Sequence, residues 1–145
     1  MSTQRNKIVL LDDEQDRISA MRPLLASEFA GLEVVIFENA PDLLAWLQRF
    51  HHQMCIVCLD HDLGPNQERS GAVFDPGTGR DVADWLATLA PCCPIVIHTT
   101  NYLAAPGMVA VLEDAGWNVL RVSPYGDTDW IGEDWIDAIR AALRT

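Results

Sequence analysis

Short runs of β-branched and aliphatic residues alternate along this chain with longer amphipathic segments, and that alternation constrains the fold more than any other feature. Five runs are read as strands: Lys7 to Leu11, Leu32 to Phe37, Met54 to Leu59, Pro94 to Thr99 and Trp117 to Val122. Strands separated by helical patterns predict an α/β domain with a parallel sheet. Most of the runs are apolar on both faces, as expected where helices cover the sheet on two sides. At 145 residues the chain fits one doubly wound domain, residues 1–145, with a core of about 7–143.

The intervening segments carry helix signals. Leu43, Leu44, Leu47 and Phe50 mark one face after Asn39-Ala40-Pro41, where the proline suits a first turn. Val82, Trp85, Leu86 and Leu89 mark a second, Pro106 to Gly116 bounds a third, and Trp135, Ile136, Ile139 and Leu143 form a last stripe. Trp46, Trp85 and Trp135 are expected in the core. In the first segment, Glu14 to Phe29, Pro23 predicts a kink or a break. His51 and His52 follow a helix and are expected at the surface.

Ten Lys and Arg against 21 Asp and Glu leave a formal charge of −11. Duplex DNA or an anionic membrane held by basic charge is therefore disfavoured. No window approaches the roughly 18 apolar residues of a membrane span, and the polar start predicts no signal peptide. A cytoplasmic location is expected. Cys55-x-x-Cys58 and Cys92-Cys93 are too few for a disulfide scaffold and are read as reduced, packed thiols. Residues three apart on a strand face opposite ways, which argues against one metal shared by Cys55 and Cys58.

Two connections are long. The loop from Asp60 to Gly79 holds twenty residues where two to six are usual, and Ser123 to Trp130 is a second. Both should lie at the carboxyl ends of the strands, where open parallel sheets bind ligands. The first strand ends in Leu11-Asp12-Asp13-Glu14 and the third in Leu59-Asp60-His61-Asp62. If those strands are neighbours, three or more carboxylates converge, and such a cluster costs stability without a cation. Mg²⁺ or Mn²⁺ is the simple remedy, a hard ion that takes carboxylates, water and phosphate oxygens. The plain alternative is that Asp12 caps the first helix and the others are solvated.

With an acidic pair after strand one, Asp60 after strand three and Thr99 ending strand four, the chain resembles a response-regulator receiver domain across nearly its whole length. The resemblance implies a receiver or flavodoxin-like sheet of five parallel strands, order 2-1-3-4-5, flanked by five helices. It also implies that Asp12 and Asp13, with Asp60, hold the metal, that Asp60 accepts a phosphoryl group, and that Thr99 senses it. A protein partner on the helix 4 and strand 5 face would follow.

Two departures redirect this reading. Receivers carry a lysine before the proline after strand five, whereas Ser123 precedes Pro124 here, and Lys7, the only lysine, lies at the opposite edge. Arg17, Arg80 and Arg121 are the possible substitutes, although arginine is a planar fork and not a flexible point charge. The second departure is His61 after Asp60 and His98 before Thr99, imidazoles suited to proton transfer or metal ligation. Leu-Asp-Asp-Glu, Leu-Asp-His-Asp-Leu, His-Thr-x-Asn and Pro-Tyr-Gly together are similar to the cyclic-phosphate processing receiver domains.

That resemblance implies a metal-dependent cyclic phosphodiesterase or phosphatase acting on a phosphate-containing small molecule or an RNA end. Asp60, His61, His98 and Thr99 are then the catalytic candidates, and Thr99, Asn101, Arg17 and Ser123 the phosphate-binding ones. The competing expectations are a phosphoacceptor receiver and a degenerate binding module. Strand alternation brings His98 and Thr99 to one site only if strand four has ended between them. Trp130 is expected either to stack on a base or to cover the sheet edge.

Overall fold

The computed structural model describes residues 4–144. Five strands form one parallel sheet: β1 (Lys7–Leu11), β2 (Glu33–Phe37), β3 (Met54–Leu59), β6 (Ile95–His98) and β7 (Val119–Val122), in the order β2-β1-β3-β6-β7. Counting only sheet strands, this is 2-1-3-4-5. Five helices connect and flank them: α1 (Gln15–Glu28), α2 (Ala40–Phe50), α3 (Gly79–Leu86), α4 (Ala105–Asp114) and α5 (Asp134–Leu143).

The sheet separates two apolar cores, as strands apolar on both faces require. Val9, Leu11, Val57, Leu59, Ile95 and Ile97 point to α2, α3 and α4, against Leu43, Leu47, Val82, Leu86 and Met108. Ile8, Leu10, Ile56, Cys58 and Val96 point the other way, against Met21, Leu25, Trp135, Ile136 and Ile139 of α1 and α5. Trp135 is fully buried, Trp46 and Trp85 partly so. The four cysteines are free thiols. His51 and His52 are half-buried in a short 3₁₀ turn, with His51 Nδ1 3.0 Å from the Leu47 carbonyl oxygen. No helix among the described residues is long and apolar enough to cross a membrane.

Local signals explain the helix starts. Asn39 caps α2 by accepting from Asp42 N at 2.8 Å, and Thr78 with Asp81 forms a capping box on α3. Of the kink or break expected in α1, the break does not occur, because the helix runs continuously through Pro23. Ser19 and Pro23 both lie on its exposed face, so the carbonyl left without an N–H partner is on the solvent side of the helix. Buried Ile18, Met21 and Leu25 hold the helix on the sheet regardless.

The twenty-residue loop contains a small antiparallel hairpin, β4 (Gln67–Arg69) and β5 (Ala72–Phe74). Its turn residues Ser70 and Gly71 both have positive φ, 54° and 83°, the requirement of a two-residue hairpin turn that follows strand twist. Arg69 pairs with Asp42, and Gln67 Nε2 donates to the Glu38 carbonyl at 2.8 Å, docking the hairpin beside the start of α2.

Candidate metal and phosphate site

The register of the sheet builds the site. Leu11 pairs with Leu59 and Leu59 with Ile97, so Asp12, Asp60 and His98 stand side by side at the carboxyl edge. Backbone bonds continue one residue beyond the strands, Asp12 N to Phe37 O and Asp60 N to Leu11 O, each at 3.0 Å. By strand alternation these three follow Leu10, Cys58 and Val96, and so face α1 and α5.

That face supplies Arg17 and two tryptophans. Arg17, 7% exposed, places Nη1 3.5 Å from Asp12 Oδ2 and 3.4 Å from Asp60 Oδ2. Its guanidinium lies 5.3 Å over the Trp130 ring, a cation–π contact. The fully buried His98 brings Nε2 to 3.0 Å from Asp12 Oδ2 and packs against Trp130 at 5.6 Å and Trp135 at 6.1 Å between ring centres. A carboxylate accepts only, so Nε2 carries the hydrogen, and the buried Nδ1 has no hydrogen-bond partner among the described residues. Asp12 Oδ1 also accepts from Glu14 N at 2.9 Å, holding the turn into α1.

Asp13 is half-buried, and an oxygen from each of Asp12, Asp13 and Asp60 falls within 4.8 Å of the others. Glycines permit this crowding. A Cβ on Gly79 would meet the Asp60 carbonyl at 1.9 Å, and one on Gly64 (φ +75°) would meet Asp13 Oδ2 at 2.5 Å.

The electrostatics divide the trio. Burial pushes the Asp12 carboxyl up, but its hydrogen bond and attraction to His98, with Glu14 N–H and Arg17, hold it below the ordinary value. Burial pushes Asp60 up to about 6, reinforced by Asp12 and opposed by His98, the His61 N–H and Arg17. Asp13 is raised by burial and by Asp12. Two of three carboxyls are thus held above their ordinary values, chiefly by burial and in smaller part by the neighbouring Asp12 charge. An all-oxygen donor set of this size suits a hard divalent ion.

On the other side of Asp60, His61 N donates to Asp60 Oδ1 at 2.8 Å and His61 Nδ1 lies 2.7 Å from Asp62 Oδ1. Asn101 Nδ2 reaches both Asp62 oxygens, at 3.2 and 3.3 Å, while its Oδ1 accepts from Leu103 N and Ala104 N. The hydrogen bond from His61, with that from Asn101, keeps the Asp62 carboxyl below its usual range. The acceptor-only carboxylate makes Nδ1 the protonated nitrogen and leaves Nε2, which makes no hydrogen bond among the described residues, with its lone pair.

The structure therefore brings Asp12, Asp13, Asp60, Arg17 and His98 into one cluster and sets His61, Asp62 and Asn101 beside it. Strand β6 ends at His98, and Thr99, buried just beyond, accepts from Asn101 N at 3.1 Å through Oγ1. Ser123 stands exposed after β7, outside this network. Arg80 pairs with Asp84 and Arg121 is exposed, so Arg17 is the cation within the cluster. Trp130 is fully buried, with Nε1 donating to Asp127 O at 3.2 Å, so it packs the site from below and offers no face to a base. Asp62 as the partner of His61 was hidden in the sequence, although Asp-His-Asp itself was the available signal.

A family model described as the cyclic-phosphate processing receiver domain matches residues 7–114. The chain belongs to this family. No curated protein matches the sequence. Among solved structures, the chain is similar to the phosphorylated cyanobacterial phytochrome response regulator RcpA, with 17% identity, a TM-score of 0.70, and 96% of this chain and 94% of that one covered. A response regulator receiver domain from Rhodospirillum rubrum is 18% identical at a TM-score of 0.62, covering 95% and 92%. One from Bermanella marisrubri is 20% identical at 0.60, covering 97% and 99%. These likenesses bear on the fold. The acidic trio is of the kind that receiver domains use to bind Mg²⁺.

Proposed function

We propose that this receiver domain processes cyclic phosphates of nucleotides or RNA ends with Mg²⁺ or Mn²⁺ held by Asp12, Asp13 and Asp60. The observation that carries the reading is the convergence of three carboxylate oxygens within 4.8 Å beside a histidine whose Nε2 is left uncommitted. When bound, the ion supplies charge for phosphate oxygens and lowers the pKa of water. His61, fixed through Nδ1 by Asp62, accepts the proton of the attacking water at Nε2 and returns it to the departing ribose oxygen as the P–O bond breaks. His98 is enclosed and acts through Asp12, which it orients and keeps ionised. Thr99 holds the turn after β6 through Asn101 N, with its hydroxyl at the phosphate edge.

Phosphorus NMR of a 2′,3′-cyclic nucleotide with Mg²⁺ tests this. Opening to one monophosphate isomer, lost with chelator and in Asp60→Asn, is expected, and turnover that survives both would refute the metal site. The fold and the position of Asp60 after β3 favour a second reading, in which Asp60 accepts a phosphoryl group and the α4 and β7 face binds a protein partner. Mass spectrometry after acetyl phosphate and Mg²⁺ separates the two, since an unmodified Asp60 removes the second. A cytoplasmic setting accords with either chemistry.

A further inference from the structure

The acidic trio could serve a free nucleotide or the end of a strand, and the surface beside it separates these two substrates. A cleft of about 670 Å³ opens between α1 and the segment after β7, bounded by Glu14, Asp16, Arg17, Ser19, Asp127 and Thr128. That volume falls within the usual range for small-molecule sites. Arg17 joins the cleft to the trio, because its Nη1 lies between Asp12 and Asp60. Its Nε is buried without a hydrogen bond, although Glu14 Oε2 stands 3.2 Å away in ion-pair contact. The cleft thus has a nine-tenths buried donor at its floor, two hydroxyl side chains on its walls, and carboxylates at its rim.

From this arrangement we infer that the cleft seats the nucleoside of a small cyclic nucleotide, and that its rim excludes a phosphate-ended nucleic acid strand. The inference rests on the proposed cyclic-phosphate activity and chooses among its substrates. Glu14, Asp16 and Asp127 are acceptors suited to ribose hydroxyls and nucleobase N–H groups. A strand would bring further phosphates onto the same carboxylates, and nucleic acid binding draws on Lys and Arg at each phosphate contact. Of the cations, Arg17 is buried, Arg69 pairs with Asp42 and Arg80 with Asp84, while Arg22 on α1 and Arg121 on β7 are exposed but do not line the cleft, whose rim is carboxylate. Arg140 and Arg144 lie at the end of α5, and Arg49 ends α2, at the opposite edge of the sheet. A net charge of −11 adds a repulsive background.

The test compares a 2′,3′-cyclic mononucleotide with a ten-residue oligonucleotide ending in the same cyclic phosphate, each followed by phosphorus NMR with Mg²⁺ in low and moderate salt. The mononucleotide should be opened with a kcat/KM at least tenfold above that of the oligonucleotide. The doubly substituted Asp16→Lys, Asp127→Lys protein should shift that ratio at least tenfold toward the oligonucleotide, and added salt should shift it the same way in the native protein. Equal rates for the two substrates, or a ratio that the double substitution leaves alone, would overturn the inference while leaving the activity in place. If neither substrate is opened, the catalytic reading falls, and calorimetry with the product monophosphates decides the cleft separately. Binding of the mononucleotide that weakens in the double variant supports it, and equal affinity for mononucleotide and strand removes it.

Discussion

Two halves of one site flank Asp60, and they hold their charges in opposite ways. Toward α1 and α5, Asp12, Arg17 and His98 are buried, His98 against Trp130 and Trp135 and Arg17 over Trp130, where water screens charge weakly. Toward the loop after β3, His61, Asp62 and Asn101 form a similar hydrogen-bonded chain, but the Asp62 side chain is 62% exposed. The two histidines looked equivalent in sequence, each next to a site residue. Burial separates them: His98 is fully enclosed and bonded to Asp12, whereas the His61 side chain is 16% exposed and its Nε2 makes no hydrogen bond among the described residues.

The buried half should dominate stability. Removing Arg17 leaves Asp12 and Asp60 facing one another without a cation, and breaking a buried ion pair costs about 3 kcal/mol or more. Arg17→Ala should lose about that much in urea denaturation with chelator present, and saturating Mg²⁺ should recover part of it, because a ligand bound only by the folded state stabilises it. A loss below about 1 kcal/mol would mean that the buried half behaves like a surface pair, and the contrast would disappear.

Asp60 sits on the boundary and should show the next largest effect, with the opposite sign. Its folded pKa is raised to about 6 from 3.8, so the folded protein holds this proton more tightly than the unfolded chain. Metal-free protein therefore has its full stability from this group below pH 4 and loses it as pH rises through about 6. Asp60→Asn removes the penalty. With chelator it should be more stable than the native protein by about 3 kcal/mol at pH 8, and near parity at pH 4. Parity at both values would show that Arg17 and His98 already neutralise the carboxylate.

The parallel sheet was legible from strand patterning, its order and the convergence of Asp12, Asp13 and Asp60 came with the receiver resemblance, and register then aligns the residues that follow Leu11, Leu59 and Ile97. What patterning misses is side-chain environment. Pro23 signals a break in any isolated helix, but it lies on the solvent face and the buried stripe decides. Trp130 lies in an acidic, glycine-containing loop that reads as open, yet it fills the space under Arg17 and His98. Ser70-Gly71 was a turn signal inside the long loop, and the strands around it are only three residues each, too short for alternation to register. Asn101 was a phosphate-binding candidate by position, and in the folded protein its amide is committed to Asp62.

The smallest change in stability should accompany a large change in chemistry, and it comes from the exposed half. Asp62→Asn keeps the size of the side chain and removes an exposed ion pair, so stability should move by less than about 0.5 kcal/mol. Its chemistry is another matter, because an amide nitrogen facing His61 Nδ1 favours the tautomer with hydrogen on Nε2. Nitrogen NMR of the His61 ring should report that exchange directly. If His61 moves the proton in cyclic-phosphate opening, turnover should fall about tenfold to a hundredfold in the same variant, within the range of general acid and base effects. A changed tautomer with unchanged turnover would take His61 out of the chemistry, and the exposed half would then serve only to hold the loop beside Asp60.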